Sequence, residues 1–125
     1  MTKIRVFLLF GVVCLFSSNA WALTGGEIYK GCYAAAQDNF NYDSLPLGEE
    51  VYVGHCLGLI TGFAEMIRLY EGTKAPPVAC IPKDVTISML LDDVVNFLDQ
   101  NRAHWDMKAT VLILIALKNN YLCRS

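Results

Sequence analysis

The sequence predicts an all-α fold, a single small domain in which four to five helices form two disulfide-stapled αα-hairpins. Apolar residues recur in successive segments at about the 3.6-residue period of an α-helix. Clusters of Pro, Gly, Asn and Asp separate these segments and mark the turns between helices. Four cysteines lie in the part of the chain that would remain after export, which is the number that two disulfides require.

Residues 1–22 have the pattern of a secretory signal peptide. Lys3 and Arg5 provide a positive start, an apolar run covers residues 6–16, and the segment ends in the small-residue cleavage pattern Ala20-Trp21-Ala22. We therefore expect cleavage after Ala22, a periplasmic location, and a mature domain over residues 23–125. No later apolar run approaches the length of a membrane span, so we expect no membrane association after cleavage.

The mature chain is predicted to be acidic. Loss of Lys3 and Arg5 leaves 8 of the 10 basic residues against 12 acidic residues, a net charge of −4. Because the sequence contains no basic patch and no interleaving of basic with aromatic residues, we expect no nucleic-acid partner.

The first half of the mature chain is predicted to form a helical hairpin. The segment TGGE at residues 24–27 has the form of a capping box, with Thr24 as the N-cap and Glu27 three residues later. A helix should follow over about 25–39, where the turn-forming residues of the segment 39–48 end it. A second helix should cover about 48–71.

The second half is predicted to form another hairpin. The proline-rich segment 72–82 should be a loop, after which a third helix begins near Asp84 or Thr86 and ends near Asn101. The apolar segment 109–117 is ambiguous, because its β-branched residues also suit a buried strand. Since no partner strand is visible in the sequence, we favour a fully buried helix over about 104–120.

The cysteine positions suggest how the hairpins are stapled. Cys32, Cys56, Cys80 and Cys123 allow three pairings. Facing residues of an antiparallel hairpin lie symmetrically about its turn. The midpoint of Cys32 and Cys56 is residue 44, in the first turn, and that of Cys80 and Cys123 lies between residues 101 and 102, in the second. We therefore favour Cys32–Cys56 and Cys80–Cys123, since the other pairings lack this symmetry.

The second predicted helix carries glycines at four-residue intervals, at Gly54, Gly58 and Gly62. Glycine in a helix interior costs about 1 kcal/mol relative to alanine, so we expect a close neighbour to compensate for this cost. Two interpretations are open: a groove that another helix of the same chain fills, which we favour, and a homodimer interface. The apolar stripe facing the first helix is predicted to consist of Tyr52, Cys56, Leu59, Ile60, Phe63, Ile67 and Tyr70.

The sequence predicts no catalytic residue, no metal site and no cofactor. His55 and Cys56 are adjacent, but consecutive helical side chains point about 100° apart and cannot form a catalytic dyad. Asp92 and Asp93 diverge in the same way, and we interpret them as part of a solvated face. His104 is interpreted as a capping or packing residue. No set of His, Cys, Asp and Glu has the spacing of metal ligands, so we expect a protein that is not an enzyme.

Three motifs together carry a family resemblance. They are HCLGLITGFAE at residues 55–65, CIPKDVTISMLLDDVVNFLDQN at residues 80–101, and a final set formed by His104, Ala109, Leu117 and Cys123. Over about residues 28–123, the chain resembles the Rap/Tai family of periplasmic immunity proteins, which neutralise amidase toxins of type VI secretion systems. The resemblance implies an all-helical, disulfide-bonded and often dimeric protein. It would bind a cognate secreted amidase effector and occlude its active-site cleft, which protects the producing cell and its siblings.

The loop 72–82 is the candidate contact with such a partner, with Lys74, Pro76 and Pro77 as its proposed binding residues. Proline limits the conformational entropy that a loop loses on docking. An ordinary rigid connector is the alternative interpretation of this loop. The alternative function is a small disulfide-bonded periplasmic chaperone of the acid-stress type, in which some of the 12 acidic residues would respond to low pH.

Overall fold

The structure is a computed structural model that describes residues 22–124. The predicted signal peptide therefore lies almost entirely outside the described residues. Four α-helices follow one another: α1 (Gly25–Ala35), α2 (Glu49–Tyr70), α3 (Ile87–Gln100) and α4 (Ala109–Asn120). Over the described range there is no strand, only an isolated bridge between Thr24 and Lys108, so the predicted all-α fold is confirmed.

The starts of α1 and α2 follow from their flanking residues. The predicted capping box of α1 is present, since the Thr24 hydroxyl accepts a hydrogen bond from the Glu27 N–H (3.4 Å) and the Thr24 N–H donates to the Glu27 carboxylate (2.8 Å). Gly48 precedes α2 with φ of 94°, a left-handed conformation that glycine adopts without steric cost.

The ends of two helices differ from the prediction. Helix α1 ends at Ala35 rather than near residue 39, because turns and a short 3-10 helix (Tyr42–Ser44) occupy the connection to α2. Helix α4 begins at Ala109 rather than near residue 104. A second 3-10 helix (Arg102–His104) and a turn fill the preceding residues.

Each hairpin carries the disulfide that the sequence analysis favoured. Cys32 of α1 is bonded to Cys56 of α2, with a Cα–Cα distance of 5.3 Å. Cys80, which precedes α3, is bonded to Cys123 after α4, with a Cα–Cα distance of 5.0 Å. The antiparallel arrangement of each helix pair explains both bonds, because it brings residues equidistant from the turn into register.

Backbone hydrogen bonds at the start of α1 connect the two hairpins. The Gly25 N–H donates to the Met107 carbonyl (2.9 Å), and the Ala109 N–H donates to the Leu23 carbonyl (2.7 Å). The second bond satisfies a donor in the first turn of α4, where no earlier helical carbonyl is available. Leu23, directly after the predicted cleavage site at Ala22, is thus hydrogen-bonded to the start of α4.

One core lies between the four helices. Its largest fully buried side chains come from all of them: Ile28, Val53, Ile60, Ile67, Leu90, Val94, Leu98, Leu112, Ile113 and Leu117. The prediction of a fully buried α4 is wrong, since Val111 and Ile115 are 39% and 36% exposed. Only one side of α4 faces the other helices, and the exposed side carries Val111 and Ile115 together with the polar residues Thr110 and Lys118.

None of the helices within residues 22–124 combines the length and the apolar character needed to cross a membrane.

Candidate partner-binding surfaces

The inner side of α2 packs on α1 and contributes to the shared core. Its buried residues are Val53, Cys56, Ile60, Ala64 and Ile67. This face is rotated from the predicted apolar stripe. Tyr70, which we placed on that stripe, is 46% exposed, whereas Val53 and Ala64 are fully buried. The rotation arises because α3 and α4 also pack against α2, so the buried face is not directed at α1 alone.

Close helix approach occurs at Gly31 of α1, which the sequence analysis did not single out. A Cβ at Gly31 would overlap the backbone carbonyl of Tyr52 and lie 2.7 Å from the Val53 nitrogen. The backbones of α1 and α2 therefore meet directly beside the Cys32–Cys56 bond. The available sequence signal was the position of Gly31 next to a cysteine that staples two helices, but a single glycine carries no periodicity.

The outer side of α2 carries the three spaced glycines, which we call the glycine face. Gly54, Gly58 and Gly62 are exposed, and no described atom lies within 4 Å of a Cβ added at any of them. The favoured expectation, that another helix of the same chain fills this groove, is not met within residues 22–124. Val51 (54% exposed) and Leu69 (75% exposed) flank the glycines and make the face partly apolar.

A small cavity of about 170 Å³ adjoins the glycine face. It is lined by Ala22, Leu23, His55, Leu59, Ala109 and Thr110, so it lies where α2, α4 and the start of the described chain meet. His55 is the single ionisable side chain in its lining, and Cys56, which follows His55 in the sequence, is bonded to Cys32 in a disulfide. This cavity therefore contains no nucleophile and base pair.

The loop between α2 and α3, which the sequence analysis proposed for partner binding, is highly exposed. Residues 71–78 are all exposed, including Lys74, Pro76 and Pro77. Two hydrogen bonds stabilise its first turn: the Thr73 hydroxyl donates to the Tyr70 carbonyl (2.9 Å) and accepts from the Ala75 N–H (3.2 Å). The three proposed residues thus lie together on one exposed segment.

Both ends of this loop are fixed to the body of the domain. At the near end, the Arg68 guanidinium donates to the Val85 carbonyl (3.1 Å), which connects α2 with the chain beyond the loop. At the far end, Ala79 and Ile81 are buried in the core. The Cys80 N–H also donates to the Tyr121 carbonyl (2.8 Å). Residues 71–78 therefore project from a rigid base.

The remaining candidate residues do not converge. His104 and Asp92 are exposed and lie on different elements, while Asp93 accepts a hydrogen bond from the Tyr121 hydroxyl (2.5 Å). Partial burial, and then this bond to a carboxylate, raise the pKa of Tyr121 above its usual value. No three His, Cys, Asp or Glu residues within the described chain are placed to hold a metal ion.

An aromatic cluster that the sequence analysis missed joins α1 to the turn after α3. The rings of Tyr29 and Trp105 lie 4.6 Å apart, and the Arg102 guanidinium lies 5.2 Å from the Trp105 ring. Asp99 accepts hydrogen bonds from Arg102 and from the Tyr29 hydroxyl, and these bonds lower the pKa of its carboxyl. The Trp105 indole N–H donates to the Leu98 carbonyl (2.8 Å). The cluster is a structural tie between the hairpins, and no spacing rule predicts it.

The fold and these surfaces define a class: a small all-α domain with two disulfides and a projecting, firmly anchored loop. A family model described as Rap1a immunity proteins matches residues 24–123. The chain belongs to the Rap1a immunity protein family, which confirms the resemblance seen in the sequence. Comparisons with curated proteins and with solved structures give no match. Members of this family are in general non-enzymatic toxin-binding proteins and typically act in the periplasm.

Proposed function

We propose that this protein is a periplasmic immunity protein that binds a type VI secreted peptidoglycan amidase and occludes its active-site cleft. Membership of the Rap1a family carries this proposal, because it points to a toxin as the partner. A toxin partner is also favoured over the chaperone alternative on this ground. Occlusion requires a complementary surface rather than a catalytic group in the inhibitor.

We propose that residues 1–22 direct the chain to the periplasm and are removed there. The positive start, the apolar run and the small residues before Leu23 support this step. The family match begins at residue 24, and the first backbone carbonyl that supports α4 belongs to Leu23. Cleavage after Ala22 would therefore leave Leu23 and the whole of the family match in the mature chain.

The loop 71–78 is our proposed contact with the amidase cleft. An exposed segment can enter a cleft, and this one is exposed along its whole length while both of its ends are anchored. Two consecutive prolines restrict its backbone, so little conformational entropy remains to be lost on docking. Lys74 supplies a positive charge, and Val78 supplies exposed apolar surface at the base of the loop.

The test takes a candidate amidase, sought among the genes next to this one, and measures its inhibition on peptidoglycan by the mature protein and its variants. We expect Lys74→Glu to weaken binding about tenfold or more, since residues at the centre of an interface carry most of its energy. Pro76→Gly with Pro77→Gly should weaken binding further by loosening the loop. Lys30→Glu is the matched control, because Lys30 is exposed beside Glu49 at the opposite end of α2, about 30 Å away along the helix.

Two results would contradict this proposal in different ways. If the wild-type protein neither binds nor inhibits the amidase, the immunity function is wrong. If the wild-type protein inhibits the amidase but Lys30→Glu weakens binding as much as Lys74→Glu, the loop is not the contact. The immunity function would then be retained, with the amidase bound by another surface.

We further propose that the glycine face mediates a homodimer. Three exposed glycines on one side of α2 allow a second helix to approach closely, and the exposed side chains of Val51 and Leu69 would be covered by it. This surface is on the outer side of α2, so it can be occupied without disturbing the core.

A further inference from the structure

The two disulfides differ in their surroundings. Cys32 and Cys56 are fully buried between α1 and α2. Cys80 and Cys123 are both partly exposed, and they lie at the margin of the domain where the chain leaves α4. Thiol–disulfide exchange requires that a thiolate reach one of the two sulfur atoms, so access differs between the bonds. A reductant in solution therefore meets Cys80–Cys123 first.

The Cys80–Cys123 bond joins the far end of the loop 71–78 to the C-terminal tail. Beside it, the Cys80 N–H donates to the Tyr121 carbonyl (2.8 Å), and the Tyr121 hydroxyl donates to Asp93 on α3 (2.5 Å). The tail has little other attachment, since Leu122 and Arg124 are exposed. Breaking the disulfide leaves the tail held by Tyr121 alone and removes one of the anchors of the loop.

We propose that Cys80–Cys123 is a redox-sensitive clamp that sets how rigidly the loop 71–78 is presented and thereby its affinity for its partner. This inference rests on the proposed function, because it concerns the same loop. In the oxidised protein both ends of the loop are held, by the Arg68–Val85 hydrogen bond and by the Cys80–Cys123 bond. In the reduced protein the loop samples more conformations, so docking orders it at a larger entropic cost. The buried Cys32–Cys56 bond and the shared core keep the four helices folded.

The chemistry is a two-electron reduction by a dithiol. One thiolate of the reductant attacks the sulfur of Cys80 or Cys123, which breaks the protein disulfide and forms a mixed disulfide. The second thiol of the reductant, after losing its proton, attacks this mixed disulfide and is released as an oxidised cyclic product. The protein gains two protons as two free thiols, and the dithiol loses two electrons.

The first experiment measures the order in which the two disulfides are reduced and needs no binding partner. The mature protein is titrated with dithiothreitol, its free thiols are alkylated, and mass spectrometry identifies the modified cysteines. We expect Cys80 and Cys123 to be modified at lower reductant concentration than Cys32 and Cys56. In the singly reduced protein, amide hydrogen exchange at short times should rise about tenfold or more over residues 71–78 and 121–124, while α1 and α2 are still protected. Prior modification of Cys32 and Cys56, or unchanged exchange in the loop, would overturn the clamp.

The second experiment measures the affinity for the amidase of a Cys80→Ser/Cys123→Ser variant, which needs no reductant during binding. We expect about tenfold weaker binding than wild type, while circular dichroism shows the same helix content. Equal affinity would overturn the inference and leave the immunity function intact. If wild type does not bind the amidase, the proposed function fails, and the labelling order and loop exchange still decide whether the clamp exists. Should the variant unfold, singly reduced and alkylated wild type provides the same comparison.

Discussion

The inner and outer sides of α2 use glycine in opposite ways. On the inner side, one glycine of the neighbouring helix α1, Gly31, lies against the backbone at Tyr52 and leaves no room for a methyl group. On the outer side, three regularly spaced glycines have open space around them within the described chain. Regular spacing therefore did not mark the site of closest packing inside the domain. It marks the surface that we propose a second molecule covers.

The largest effect on stability should come from removing the disulfide on the inner side of α2. The double substitution Cys32→Ala/Cys56→Ala removes a crosslink with a sequence separation of 24 residues. In the chain-entropy model such a loop contributes about 3 kcal/mol to the free energy of unfolding. Urea unfolding followed by circular dichroism measures the loss. A change below about 1 kcal/mol would mean that helix packing alone holds α1 on α2.

Gly31→Ala should destabilise the same side by about 2 kcal/mol, because the added methyl group overlaps the Tyr52 carbonyl and forces α1 away from α2. The loss exceeds what helix propensity would return, since alanine is the better helix former. The matched control is Gly58→Ala on the outer side. Equal stability of the two variants would show that α1 and α2 are not in backbone contact.

A substitution at the N-cap of α1, the helix that packs on the inner side of α2, should cause a smaller loss of stability. Thr24→Ala removes the hydroxyl that accepts from the Glu27 N–H and should cost about 1 kcal/mol in thermal or urea unfolding. Thr24→Ser keeps the hydroxyl and serves as the control. If both variants lose the same stability, the hydroxyl does not cap the helix.

The capping box also predicts a pH dependence. Hydrogen bonds from the backbone N–H and then the hydroxyl of Thr24 hold the pKa of Glu27 below 4.5. Because the folded state depresses this pKa, the carboxylate contributes stability above pH 4.5, and the contribution is lost as the pH falls through the folded value. Glu27→Gln should therefore flatten the stability profile below pH 4.5 without changing its shape at higher pH. An identical acid limb in wild type and variant would contradict this account.

The smallest effect on stability should come from a substitution on the outer side of α2. This substitution should stabilise the monomer but weaken the dimer, so it distinguishes an effect on folding from an effect on association. In the monomer, Gly58→Ala should stabilise α2 by about 0.5–1 kcal/mol, since the added methyl group meets open space. If the glycine face is a homodimer interface, the same substitution should weaken dimerisation, which analytical ultracentrifugation measures. A dimer of unchanged affinity in Gly58→Ala and in Gly58→Glu would place the interface elsewhere.

The sequence predicted the fold well because its signals were local or symmetric. The capping box at Thr24, the proline-rich loop 72–82 and the midpoint symmetry of the cysteines need no tertiary information, and each is confirmed. The helix ends were less accurate. The two short 3-10 helices shorten α1 and α4 through local turns whose hydrogen bonds form only in context.

The packing details were beyond the sequence for a physical reason. Which side of α2 is buried depends on the three helices that pack against it. The periodicity therefore predicted the approximate direction of the buried face, but it missed two buried residues, Val53 and Ala64. The cluster of Tyr29, Arg102 and Trp105 joins residues far apart in the chain and has no spacing signature. The candidate loop contacts stay a prediction, since they depend on the surface of a partner.

The central claim, that this protein neutralises a secreted amidase in the periplasm, is tested most directly by a rescue experiment. A type VI peptidoglycan amidase, sought among the genes next to this one, is directed to the periplasm of a sensitive cell together with the full-length chain, or with a chain that lacks residues 2–22. We predict that the full-length chain restores growth and that the chain without its N-terminal segment does not. Continued lysis in the presence of the full-length chain, at levels that exceed those of the amidase, would contradict the account.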